Sequence, residues 1–150
     1  MDLTPLKNEL ANDPLSLGYA GKTAQEKADL LNVKNRTKLG PVTQGALLKW
    51  CAAHNVIDSL EDDENSSNSS KQSLCKASLE LLRSPQAEPL DLGDSDVMSM
   101  LDNLAALNVI TDTVRDDLVT RATISISRAE ELGYWSGIGI GYIHNAEALP

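Results

Sequence analysis

Phenylalanine does not occur in this 150-residue chain, and its aromatics are five residues only: Tyr19, Trp50, Tyr134, Trp135 and Tyr142. A core must therefore be filled by Leu, Ala, Ile and Val, which bury well as stripes along helices. The length suffices for this, since a domain of about 150 residues hides roughly 70% of the surface its unfolded chain exposes. No apolar run approaches the roughly 18 to 20 residues of a membrane helix, and M-D-L-T-P-L-K lacks the basic-then-apolar order of a secretory leader. The chain is expected to be soluble and to begin at Met1.

Helix signals recur along the chain. Thr4-Pro5 opens a short helix to Leu10 or Ala11, because proline wastes no amide at a first helical position. Asp13-Pro14 breaks it, and Gly18 and Gly21 keep the next segment irregular. Thr23 with Glu26 three positions on is a capping box, followed by the inner stripe Ala24, Ala28 and Leu31. Thr43 caps a third helix carrying Ala46, Leu47, Trp50, Cys51 and His54, with Asn55 as a left-handed stop. The stretch E-D-D-E-N-S-S-N-S-S, at 61 to 70, has nothing to bury and is expected to be an exposed, mobile loop. Leu74, Cys75, Leu79 and Leu82 mark a fourth helix ended by Ser84-Pro85. Asp94 or Ser95 caps a fifth, bearing Val97, Met98, Leu101, Leu104, Ala105 and Leu107.

Val114, Leu118, Ala122, Ile126, Ala129 and Leu132 then step by four or three, which predicts one long helix from 112 to 132. A competing reading pairs T-I-S-I-S at 123 to 127 with G-I-G-I-G-Y at 137 to 142 as a hairpin, but glycine-rich strands are weak. The expected fold is all-α: about six helices in one compact domain, 1 to 150, with a glycine- and aromatic-rich irregular C-terminal segment.

The formal net charge is -9 and is unevenly placed. Residues 1 to 60 hold seven Lys/Arg against six Asp/Glu, and residues 61 to 150 hold six against sixteen. Such a field repels phosphate backbones, so no nucleic-acid partner is expected. Lys34, Arg36 and Lys38 form a local basic loop that would be solvated or would meet phosphates or an acidic patch. Cys51 and Cys75 sit among small or apolar residues, as packing thiols do.

Motifs of catalysis or ligation are weak. Gly18 to Thr23 ends like a phosphate-binding loop, but the first glycine of that pattern would fall at Ser16, and no strand precedes it. Cys51 and His54 share a helix face, and Cys75 and His144 would be needed to complete a zinc set, at no recognisable spacing. Asp91, Asp94 and Asp96 lack the glycine and terminal glutamate of a calcium loop. No catalytic residue, cofactor or metal is expected. The most unusual patch is Gly133 to Ile143, where Tyr134, Trp135 and Tyr142 crowd among glycines with Ile138 and Ile140. Exposed tyrosine and tryptophan anchor protein interfaces, whereas the alternative is a loop folded back on its own core.

Two stretches carry a resemblance. L-K-N-E-L-A-N-D-P-L-S-L-G-Y-A-G-K-T, from Leu6 to Thr23, is followed by A-D-L-L-N-V-K-N-R-T, from Ala28 to Thr37; near the other end stands I-S-R-A-E-E-L-G, from Ile126 to Gly133. These resemble a family of small tailed-bacteriophage proteins with a D-P-L-x-x-G-Y-A-G opening and a closing S-R-A-E-E-L-G helix. The likeness covers about a third of the chain, and the middle, about 43 to 110, departs from the pattern. It implies a virion-associated protein and transfers no catalytic residue. The resulting expectation is a non-enzymatic structural protein in the virion, and in the host cytoplasm during assembly. It would pack in symmetric multi-copy fashion against other phage structural proteins of the tail, tail-fibre/baseplate or neck, with no nucleic acid, membrane or small-molecule substrate. Candidate contact residues are Tyr19, Arg36, Tyr134, Trp135, Ile138, Ile140 and Tyr142. The alternative is a phage-encoded, non-virion protein that binds a host factor through its acidic lobe.

Overall fold

The computed structural model describes residues 2–84 and 89–150. They divide into two compact units, one made of both ends of the chain, residues 1–37 and 125–150, and the other continuous from 38 to 124.

The first unit holds α1 (Thr4–Asn12), α2 (Ala24–Asn32), α8 (Arg128–Glu131) and α9 (Ile140–Glu147). Thr4 lies inside α1, with Leu3 at the cap position. The Thr23 capping box forms as its spacing requires: its side chain accepts from the Glu26 amide while the Glu26 carboxylate takes the Thr23 amide. Ser127 and Glu130 repeat this at the start of α8. The core between these helices contains Leu6, Tyr19, Ala28, Leu31, Ala129, Tyr134, Ile138, Ile143 and Ala146.

The second unit contains α3 (Gln44–Ala53), α4 (Val56–Asp63), α5 (Ser69–Arg83), α6 (Ser95–Ala106) and α7 (Asp112–Ala122). Thr43, Asn68, Asp94 and Thr111 each cap the helix that follows by accepting a backbone amide. Trp50, Cys51, Leu60, Cys75, Leu79, Leu101, Leu104 and Leu118 are among its buried core.

Strands correct the all-α expectation, and the fold is mixed though mostly helical. β1 (Arg36–Leu39) pairs with β4 (Thr123–Ile126), while β2 (Pro41–Val42) pairs antiparallel with β3 (Leu90–Asp91), Pro41 opposite Asp91 and Val42 opposite Leu90. The long helix from 112 to 132 is thereby overturned. Thr123 to Ile126 alternate β-branched and small hydroxyl residues, which favour extended backbone, and Ser127 caps a new helix instead of continuing the old one. The competing hairpin is overturned too, since β4 pairs with β1 and residues 140 to 147 are helical.

Two further expectations are refined. The acidic stretch at 61 to 70 is half helical: Glu61 to Asp63 end α4, and Ser69 and Ser70 open α5, its amides capped by Asn68, while 64 to 68 between them form the loop. The C-terminal segment is irregular only as far as Gly139, beyond which α9 forms, and Tyr134, Ile138 and Ile143 lie in a core. Ser84 does end α5, whereas Pro85 lies outside the described residues.

The segment before α9 is held by Asn32. Its side-chain amide donates to the Ile138 carbonyl and its carbonyl oxygen accepts from the Ile138 amide, both at 2.8 Å. Gly137 makes this possible: its φ of +81° suits glycine, and an added Cβ would meet Asn32 Oδ1 at 3.0 Å. Asn32→Ala, which removes both bonds, should destabilise by about 2 kcal/mol. Gly137→Ala should cost about 1 to 2 kcal/mol for the left-handed backbone alone. Urea unfolding of both variants and their double should show less than additive loss, because the substitutions strike one contact.

Candidate functional site

The sequence-derived contact residues separate into two environments. Tyr19, Tyr134 and Ile138 are buried in the first unit, each less than 5% exposed. Trp135, Ile140 and Tyr142 are exposed, Trp135 to 64%. Trp135, Ile138 and Tyr142 line one hollow together with Asn32, Lys34, Ser127, Glu130 and Gly139. Tyr142 is steadied by an edge-on contact with Tyr134, ring centres 5.8 Å apart, and the Tyr134 hydroxyl donates to the Asp2 carbonyl at 3.2 Å.

The lining carries one matched pair of charges, and a second pair stands close to it in sequence. Lys34 pairs with Glu130 at 2.9 Å and Arg36 with Glu131 at 2.7 Å. Two charges of the basic loop are thus opposed by acids of α8. The Ser127 backbone amide, then Lys34, hold the Glu130 carboxyl below its ordinary range. Burial pushes the Glu131 carboxyl up, but hydrogen bonds from Arg36 and Arg128 outweigh it and leave it lowered.

Close by lies a buried contact that no motif of the sequence marks. Glu9, 1% exposed in its side chain, accepts from the Arg128 guanidinium at 2.5 Å and from the Tyr19 hydroxyl at 3.1 Å. Arg128 also reaches Glu131 at 2.9 Å. Burial and the Glu9 charge raise the Tyr19 phenol, keeping it protonated as the donor. An acidic residue within the apolar stripe of α1 was the available signal, because a buried carboxylate demands a cation from elsewhere. Its partner could not be chosen from sequence.

The remaining motifs resolve locally. Asp13 accepts from the Leu17 and Gly18 amides, both at 2.7 Å, so a carboxylate of the chain already occupies amides of the loop that resembles a phosphate cradle. In the second unit His54 Nε2 meets Asp117 Oδ2 at 2.9 Å, and Arg121 meets the same oxygen at 2.7 Å. Arg121, then His54, lower the Asp117 carboxyl. Among the described residues no hydroxyl or thiol is hydrogen-bonded to the His54 ring; the Ser59 hydroxyl, in the same hollow, is directed to the Asn55 carbonyl. Cys51 and Cys75 are buried and unbridged, and burial raises the Cys51 thiol to about 11. Among the described residues no three His, Cys, Asp or Glu are placed to hold a metal, and no helix is long and apolar enough to cross a membrane. Compared with models of protein families, with curated proteins and with solved structures, the chain matches none.

Arg128→Met should leave Glu9 buried without its cation and cost about 3 to 5 kcal/mol, whereas the double variant Glu9→Leu/Arg128→Met should recover much of that loss. Acid should act in part through Glu130 and Glu131, as through other carboxyls held low in the fold, among them Asp117 and Glu26. Carboxyls lowered in the folded state contribute stability that is complete above their unfolded value, 4.5 for the glutamates, and is lost as pH falls through the folded one. The urea midpoint should therefore decline below about pH 4.5, and by less in Glu131→Gln.

Proposed function

We propose that this chain is a non-enzymatic bacteriophage structural protein that packs against other virion proteins, in the tail, tail-fibre/baseplate or neck region. The observation that carries the reading is the exposed Trp135, Ile140 and Tyr142 on the unit that also contains every segment of the phage resemblance. A tryptophan exposed over most of its surface, beside a second exposed aromatic and an isoleucine, is apolar area that a partner returns by burial, at about 25 cal/mol per square ångström. The pair Lys34 and Glu130, which lines the same hollow, and the pair Arg36 and Glu131 are suited to setting the orientation of such a contact. Repeated copies in a symmetric assembly would use it many times over.

A second reading rests on charge. Residues 38 to 124 hold seven Lys/Arg against fourteen Asp/Glu, which suits a non-virion phage protein that captures a basic host factor.

Mass spectrometry of purified particles separates the two: a virion component is present in stoichiometric amount, a host-directed protein is absent. Trp135→Ala should leave helix content and melting nearly unchanged and lower incorporation by about tenfold or more, as truncating an aromatic anchor costs about 2 kcal/mol. Undiminished incorporation would remove this surface from consideration.

A further inference from the structure

The second unit contains an apolar cavity of about 350 Å³ that is independent of the surface reading above. Trp50, Cys51, Leu60, Leu101 and Leu118 line it, and each is less than 5% exposed. Protein interiors are close-packed and hold few voids larger than a water molecule. An opening of this size leaves its walls short of contacts, and water gains few hydrogen bonds by entering an apolar site. The Trp50 indole already donates to the Val114 carbonyl at 3.2 Å, and the Ser78 hydroxyl to the Leu74 carbonyl at 2.8 Å. The buried lining is therefore apolar in effect, and polar recognition falls to its exposed part.

That exposed part includes Asp91 and Asp94. Asp91 Oδ1 accepts from the Gly93 amide at 2.9 Å and Asp94 Oδ1 from the Asp96 amide at 2.8 Å, which fixes both carboxylates. Neither has an ion-pair partner within 4.0 Å among the described residues. The surrounding unit carries two acids for each base. An apolar interior beneath fixed negative charge is complementary to a molecule with a hydrocarbon body and a cationic head.

We propose that the second unit binds a small amphipathic amine, with a hydrocarbon body of about ten heavy atoms in the cavity and its ammonium group against Asp91 and Asp94. The test uses the full chain carrying Trp135→Phe, so that Trp50 is its sole tryptophan. It is titrated with decylamine, decanol and decanoate, each below its micelle concentration. Decylamine should shift the Trp50 emission and protect Cys51 from a thiol reagent. It should bind about threefold tighter than decanol and about tenfold tighter than decanoate, with the preference shrinking in salt. Asp91→Asn with Asp94→Asn, in which asparagine still caps α6, should equalise decylamine and decanol. Met100→Phe, which adds bulk to the lining, should weaken all three. If none of the three shifts Trp50, or if all three bind equally to the protein with both aspartates intact, the proposal is overturned. Undiminished binding by a folded Met100→Phe protein overturns it as well; if that variant does not fold, the aspartate pair still decides the outcome.

Discussion

The first unit depends on one contact made across 119 positions of sequence, the Arg128 guanidinium on the buried Glu9 carboxylate. Neither terminal segment has a core of its own. One end supplies Leu6, Tyr19, Ala28 and Leu31, the other Ala129, Tyr134, Ile138, Ile143 and Ala146, and only their union excludes water. Apolar contacts alone tolerate sliding of one helix past another. A carboxylate shut away at Glu9 does not, because each alignment that fails to deliver Arg128 strands a charge in a low-dielectric site. Tyr19 tightens the requirement, as its hydroxyl must reach the same carboxylate. The positions of α1, of the loop bearing Tyr19 and of α8 thus follow from one shared anion.

This arrangement accounts for what could be read from the sequence. Local chemistry was legible: the caps at Thr23, Thr43 and Asp94 each depend on residues within a turn of one another, and each forms. Periodicity misled where the chain changed partners. The stripe Val114, Leu118, Ala122, Ile126, Ala129 and Leu132 looks continuous, yet Val114, Leu118 and Ala122 belong with one core and Ala129 and Leu132 with another. The four-residue strand between the helices happens to preserve the spacing, so a hydrophobic count cannot register the break. β-branching at Thr123, Ile124 and Ile126 was the contrary signal. The acidic stretch at 61 to 70 is loop only in its middle, 64 to 68, because polar composition excludes a core position but does not exclude an exposed helix end.

The candidate sites show the same division. Crowded aromatics among glycines were visible as composition, whereas the side each residue faces depends on Asn32, 106 positions away, fixing the Ile138 backbone. That clamp sends Ile138 inward and leaves Trp135 exposed. Nothing in the linear pattern distinguishes adjacent Tyr134 and Trp135, and the same applies to the cavity. Its buried wall joins Trp50, Cys51, Leu60, Leu101 and Leu118 from α3, α4, α6 and α7, each an ordinary core residue when read alone. A volume defined only by their assembly leaves no mark in the linear pattern.

An aromatic patch on an ordered helical unit differs in energetics from the irregular arm expected of a glycine-rich segment. Ordering a mobile arm costs about 1 to 2 kcal/mol for each residue fixed, a loss subtracted from every contact it makes. Here Gly139 caps α9, Asn32 holds Ile138, and Tyr134 supports Tyr142 before a partner arrives. The backbone cost is met in folding, so burial of Trp135 and Tyr142 would contribute more directly to association. Pre-organisation also limits the range of partners, because a tryptophan on an ordered backbone accepts fewer complementary shapes than one on a flexible arm. A contact repeated in many copies benefits from both properties: each site needs only modest affinity when neighbours reinforce it, and a rigid geometry holds every copy to the same orientation.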